Sequence, residues 1–130
     1  MKQILLLFST LFFLNVHAQE TRALWVSRWD YNSPQDIDTI ATRAATLGFN
    51  TLLFQVRGNA TVTYPSNLEP WDTTLSDTTW NPLQKAIDAA HANSLQFHAW
   101  INVFPGWRGE EPPDDRSHLF YTHPAWFMYD

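Results

Sequence analysis

The sequence contains no cysteine, and that absence removes several chemistries at once. It leaves no thiolate nucleophile, no sulfur ligand for a metal, no disulfide framework and no attachment point for a lipid behind a leader. Stability must come from the core alone. Positive charge is scarce as well: 8 Lys and Arg stand against 13 Asp and Glu, for a formal net charge of -5, and the basic residues are scattered. Nucleic acid is therefore not expected as a partner. Long apolar runs are also missing, since the longest, Ile4 to Leu14, is only about half the ~20 residues that a membrane-spanning helix needs. With Lys2 before it and Val16-His17-Ala18 after it, this run reads as a secretory signal. Residues 1–18 are then the leader and residues 19–130 the mature chain. The expected location is the periplasm or the medium, without lipid anchor or transmembrane segment.

What the sequence has in quantity is aromatic rings: 7 Trp, 9 Phe and 4 Tyr in 130 residues, within a composition that is 45% hydrophobic. That is a globular composition, and the length allows one domain or part of one. Aromatic rings usually fill cores, but they also cover the apolar faces of sugar rings in clefts.

Residues 22–30 (RALWVSRWD) are rich in β-formers and read as a first strand, closed by the turn-prone Tyr31-Asn32-Ser33-Pro34. Ser33 suits a helix N-cap, Pro34 the first helical position and Asp36 the positive helix end. Ile37, Ile40, Ala41, Ala44 and Leu47 then fall on one helical face, and Gly48 supplies a left-handed stop. Asn50 to Arg57 is a second, largely apolar strand of the kind covered on both sides. The long loop from Gly58 to Trp80 carries Tyr64, Glu69 and Trp71, which argues for order. Asn81-Pro82 repeats the cap-plus-proline start, with Leu83, Ala86, Ile87 and Ala90 as the apolar stripe. Leu95 to Asn102 is the third strand, and the rest, with Pro105, Gly106 and Pro112-Pro113, reads as irregular.

The order β-α-β-α-β implies parallel strands and right-handed crossovers. A dinucleotide-binding sheet would place a glycine-rich turn after the first strand, and residues 31–34 contain no glycine. The expected fold is therefore α/β, a partial (β/α)8 TIM barrel of about three βα units, because a complete barrel takes about 250 residues.

Alternation on the third strand puts His98, Trp100 and Asn102 on one face and Phe97, Ala99 and Ile101 on the other. The first set would point into the barrel, where His98 and Trp100 could equally be core residues or site residues. On the second strand Leu53, Gln55 and Arg57 share a face, and a buried Arg57 needs a counter-charge, either a substrate or a structural carboxylate. On the first strand either Trp25, Ser27 and Trp29 or Arg28 and Asp30 could face inward. His91, His98, His118 and His123 show no defensible ligand spacing, so no metal is expected. No Gly-x-Ser-x-Gly nucleophile elbow occurs either.

An ordered series of short stretches runs through the mature chain: residues 22–26 (RALWV), 48–51 (GFNT), 54–57 (FQVR), 64–66 (YPS), 68–71 (LEPW), 81–83 (NPL), Ala90-His91, 98–102 (HAWIN) and 123–126 (HPAW). This series resembles bacterial glycosyl-hydrolase-like family 10 proteins, exported (β/α)8 barrels. The resemblance implies an exported glycosidase acting without a cofactor on a polysaccharide or on peptidoglycan glycan strands. It also implies that Arg57, Tyr64, His98, Trp100 and Asn102 stand at family cleft positions, as binding rather than catalytic groups. Asp30, at the end of the first strand, joins them as a candidate for substrate contact.

Glycoside hydrolysis usually employs two carboxyl groups about 5 to 9.5 Å apart. Asp30, Glu69 and Asp72 are the acids near strand ends or in the first long loop, and each suits a turn or a cap. No catalytic pair is visible in this chain, and the resemblance implies that the catalytic acids lie on later strands, beyond residue 130. The chain departs from the family at Thr61, Asn81 and Ser94, where Asp, Asp and Gly are common. A glycan-binding protein without turnover is the alternative, and metal-dependent amide or acetyl hydrolysis, resting on the histidine count, is a third reading.

Overall fold

The structure, a computed structural model, describes residues 20–128; the expected leader lies outside them. Three strands, β1 (Ala23–Val26), β2 (Thr51–Arg57) and β3 (Gln96–Ile101), alternate with the helices α1 (Pro34–Thr46) and α2 (Pro82–Ala92). They form one parallel sheet in the order β1-β2-β3, the run of βα units that builds a (β/α)8 barrel.

Each helix starts where local chemistry dictates. Ser33 Oγ accepts from the Asp36 amide at 3.3 Å and the Asp36 carboxylate accepts from the Ser33 amide at 2.9 Å, a reciprocal capping box, with Pro34 at the first position. Asn81 Oδ1 accepts from the Gln84 amide at 3.1 Å and does the same for α2. The helices also end alike. After α1, the amides of Gly48 and Phe49 donate to the carbonyls of Ala45 and Ala44, with Gly48 at φ +83°. After α2, the amides of Ser94 and Leu95 donate to His91 and Ala90, with Ser94 at φ +57°. Both are Schellman closures, and Ser94 adopts the left-handed conformation that glycine takes at lower cost.

The core lies between the sheet and the two helices. Val26, Leu52, Phe54 and Val56 meet Ile37, Ala41 and Ala44 of α1 and Ala86, Ala89 and Ala90 of α2. Phe54 is fully buried, and Tyr31 stacks on it with centroids 4.8 Å apart. Burial of each large side chain contributes about 1.5–3 kcal/mol.

Several expectations are corrected. β1 stops at Val26 rather than Asp30, because Asp30 folds back: its amide donates to the Ser27 carbonyl at 3.1 Å, and its carboxylate accepts from Ser27 N at 2.6 Å and Ser27 Oγ at 2.8 Å. Leu47, expected on the buried stripe, is 76% exposed. The turn at Gly48 swings it outward and packs Phe49 against the core instead. Of the β3 face expected to meet helices, Phe97 packs on the core while Ala99 and Ile101 are exposed. The region after β3 is not wholly irregular, since it contains α3 (Leu119–Thr122) and a 3-10 turn, Pro124–Trp126.

Candidate functional site

The strands order the side chains at their carboxyl ends. Trp25, Leu53 and His98 are in register, as are Gln55 and Trp100. The indoles of Trp25 and Trp100 meet edge-to-face with centroids 4.7 Å apart. Trp25 therefore belongs with His98 and Trp100, opposite the core face that Val26 occupies, which settles the orientation of the first strand.

Beyond Gln55 the register slips, so Arg57 pairs with Ile101. Its guanidinium is then spent on a carboxylate of the protein: Nε lies 2.7 and 3.0 Å from the two Glu69 oxygens and Nη2 lies 2.5 Å from Oε1, in a part-buried bidentate pair. Nη1 donates to the backbone carbonyls of Asn102 and Val103. Of the two partners open to Arg57, the structural carboxylate is the one present. Arg57 thus ties the β2–α2 loop to the end of β3.

Asn102 is held from a second side as well, because its Oδ1 accepts from the Trp100 indole N–H at 2.9 Å. The indole can only donate, so the Asn102 amide must present its oxygen there. Its NH2 group, for which the described residues supply no acceptor, remains to donate elsewhere. Arg57, Trp100 and Asn102 are thereby brought together, with exposed His98 on the same face one register step back. Two other expected residues are not part of this cluster. Tyr64 packs half-buried against the core, and exposed Asp30 is engaged in closing its own turn.

A hollow of about 620 Å³ opens beside the strand ends, with Arg28, Trp29, Thr61, Asp72, Trp107 and His118 among its walls. None of the six residues singled out from the sequence lines it. Asp72, 3% exposed, accepts from Thr61 Oγ1 at 2.5 Å, from Thr74 N at 3.0 Å and from Thr74 Oγ1 at 2.7 Å, and stands 3.2 Å from Arg28 Nη1. The Thr61 hydroxyl is thus committed to Asp72. The Arg28 amide donates to Gln55 Oε1 at 3.2 Å, and its side chain covers Gly58, where a Cβ would fall 1.4 Å from Nη1. Beneath this network the Tyr31 hydroxyl has its pKa pushed up to about 12, chiefly by burial.

Buried His118 closes the far wall. Its Nδ1 accepts from the Phe120 amide at 3.0 Å, so Nε2 carries the proton and donates to the Asn59 carbonyl at 2.7 Å. That bond ties the segment after β3 to the loop after β2. One sequence signal pointed toward this network: a buried arginine demands a nearby carboxylate. The same demand holds for Arg28, whose burial no strand pattern marks.

Three of the acids at this end are committed to structure. Glu69 and Asp72 are ion-paired. Asp115, which lines the hollow, has its carboxyl held below the ordinary range, first by the Ser117 hydroxyl and then by the Ser117 amide. A carboxyl kept ionised in this way is unsuited to donating a proton. Among the described residues no three His, Cys, Asp or Glu side chains gather as a metal site would require.

A sequence model of the family described as glycosyl hydrolase-like 10 matches residues 20–130. The chain is similar to glycosyl hydrolase DigH of Escherichia coli strain K12, 35% identical over 63 residues, which is 45% of this chain and 14% of that protein. It is also similar to glycosyl hydrolase YngK of Bacillus subtilis strain 168, 32% identical over 84 residues, 61% of this chain and 16% of the relative. The matched stretches thus span about a sixth or less of these curated relatives. Among solved structures, a hypothetical protein from Ruminiclostridium thermocellum ATCC 27405 aligns with a TM-score of 0.45 and 16% identity, over 58% of this chain and 40% of that one.

Proposed function

We propose that this chain, which belongs to the glycosyl hydrolase-like 10 family, forms one wall of the sugar cleft of an exported glycosidase that acts on glycan strands such as those of peptidoglycan. The observation that carries this reading is the Trp100–Asn102 pair. A pyranose offers an apolar ring face and a fringe of oxygen acceptors. Trp100 provides a flat apolar surface, and Asn102, its oxygen held by the indole, offers two N–H donors beside it. Arg57 is a positioning residue, because it grips the Asn102 carbonyl and acts on the sugar only through that grip.

The names of the relatives, both glycosyl hydrolases, support hydrolysis as the reaction. On this reading its two carboxyl groups lie on later strands, beyond residue 130; Glu69, Asp72 and Asp115 are already engaged as ion partners or caps. The leader read at residues 1–18 carries the protein out of the cytoplasm. One observation favours glycan binding without turnover as the second reading: Thr61 brings no free carboxylate to the hollow, and its hydroxyl is bound to Asp72.

The test is an assay of the intact protein on peptidoglycan glycan strands and on other polysaccharides. Saccharide release is expected, and Asn102→Ala should weaken glycan binding about tenfold, the worth of one or two hydrogen bonds. Binding without release would select the second reading. No binding and no release on any glycan would sink both.

A further inference from the structure

We propose that the hollow walled by the β1–α1 turn, the β2–α2 loop and the segment after β3 is an additional sugar subsite that takes an uncharged pyranose, with Arg28 as hydrogen-bond donor and Trp29 as stacking surface. This rests on the glycan-binding reading above and extends it to residues that the row of Arg57, Trp100 and Asn102 does not include.

The first support is Arg28 itself. The residue is 9% exposed, yet its Nε and Nη1 have no hydrogen-bond partner, and the nearest acidic oxygen, Asp72 Oδ2, sits 3.2 Å from Nη1 without the alignment of a hydrogen bond. Buried donors left unmatched are costly. Nε and Nη1 are sealed from solvent, so Nη2, for which the described residues supply no partner, is the nitrogen left to meet an oxygen acceptor in the hollow. Asp72 serves Arg28 as an ion partner through Oδ2 alone, since Oδ1 takes both Thr74 donors and Oδ2 also accepts from Thr61.

The second support is the charge of the walls. Asp72 offsets Arg28, and Glu111, Asp114 and Asp115 outnumber Arg108 around the remainder. A carboxylate or phosphate ester would enter a region of its own sign, whereas a hydroxyl or amide oxygen accepts from the guanidinium without that repulsion. The third support is shape and surface. At about 620 Å³ the hollow lies within the roughly 300–1,000 Å³ of ligand sites. Trp29 lies over the Arg28 guanidinium at 4.5 Å while remaining 65% exposed, and Trp71 and Trp107 flank it. An aromatic wall next to unmatched donors suits a ring with one apolar face and an edge of neutral oxygens.

The experiment is calorimetric titration of the intact protein with β-linked glucose and N-acetylglucosamine oligomers of increasing length, alongside oligomers carrying a carboxylate. Trp29→Ala should lower affinity for the uncharged oligomers about tenfold, with a loss that grows with chain length. Because Trp29 is exposed, the melting temperature of that variant should match wild type, so the loss is not one of folding. Arg28→Lys keeps the charge facing Asp72 but removes the planar fork, and should weaken the same oligomers. Carboxylate-bearing oligomers should bind more weakly than neutral ones of equal length. If both variants bind like wild type while Asn102→Ala is impaired, the subsite is refuted and the cleft reading stands. Stronger binding of the charged oligomers would also overturn it. If wild type binds no oligomer at all, both readings fall.

Discussion

The two ends of the sheet are built on different principles. At the amino ends of β2 and β3, each helix returns to its strand through the same closure, with a left-handed residue, Gly48 or Ser94, and two backbone hydrogen bonds. Nothing there depends on a buried charge. At the carboxyl ends, the stretch from Gly58 to Asn81 and the segment after β3 are fastened by side chains distant in sequence: Arg28 to Asp72, Arg57 to Glu69, and His118 to Asn59. Backbone conformation fixes the amino end, whereas charge and hydrogen-bond matching fix the end that carries the candidate site. A rim of this kind can be reshaped by altering loops without disturbing the helix returns.

Breaking the rim should have the largest effect. Asp72→Ala strands the Arg28 cation in a buried setting and should cost about 3–5 kcal/mol, as removal of one partner from buried pairs does. Denaturant unfolding of the intact protein measures this, and a loss no greater than that of an ordinary surface substitution would erase the contrast between the ends.

Next comes alkali. The pKa of Tyr31 is raised in the folded state from an ordinary 10.0 to about 12, so folding favours the protonated phenol. Its contribution is complete below pH 10 and is lost as pH rises through 12, about 2 to 3 kcal/mol in all. Stability measured across pH 10 to 12 should fall less steeply in Tyr31→Phe than in wild type. Identical slopes would show that the phenol under the rim is not the sensitive group.

The smallest effect belongs to the amino end. Ser94→Gly relieves a left-handed serine and should raise stability by about 1 kcal/mol, while Gly48→Ala, whose added Cβ would meet nothing within 4 Å, should lose a similar amount from backbone strain alone. Thermal melts of the pair should shift in opposite directions. Equal shifts of one sign would mean that these turns are not governed by the left-handed residue.

This division also explains what could be read from the sequence. Ser33, Asn81, Gly48 and the apolar stripes act over a few residues, so both helices, the parallel order and the face of β2 were legible, whereas Ala99 and Ile101 of β3 proved exposed. β1 was read too long because Trp25, Ser27 and Trp29 continue the alternation of a strand, while the Asp30 carboxylate captures Ser27 locally and turns the chain. The four residues of α3 are too few to display a period. Within the site, the shared face of Trp100 and Asn102 was legible from strand spacing, but the hold of the indole on the amide oxygen was not. The Arg28–Asp72 pair was hidden for a different reason: its partners lie on separate loops, and neither sits in a pattern that marks it as buried. Tyr64 was placed with the cleft by resemblance, and its ring packs on the core.

The contact between Arg28 and Gly58 has an evolutionary corollary. Any side chain at position 58 would occupy the space that the guanidinium fills, so a lineage cannot enlarge that residue while retaining the arginine in place. Drift at the two positions is coupled: a larger residue at 58 would either push the guanidinium away from Asp72 or call for a shorter residue at 28. The combinations in which such substitutions accumulate are thereby constrained, and with them the routes by which this rim can acquire a different ligand preference.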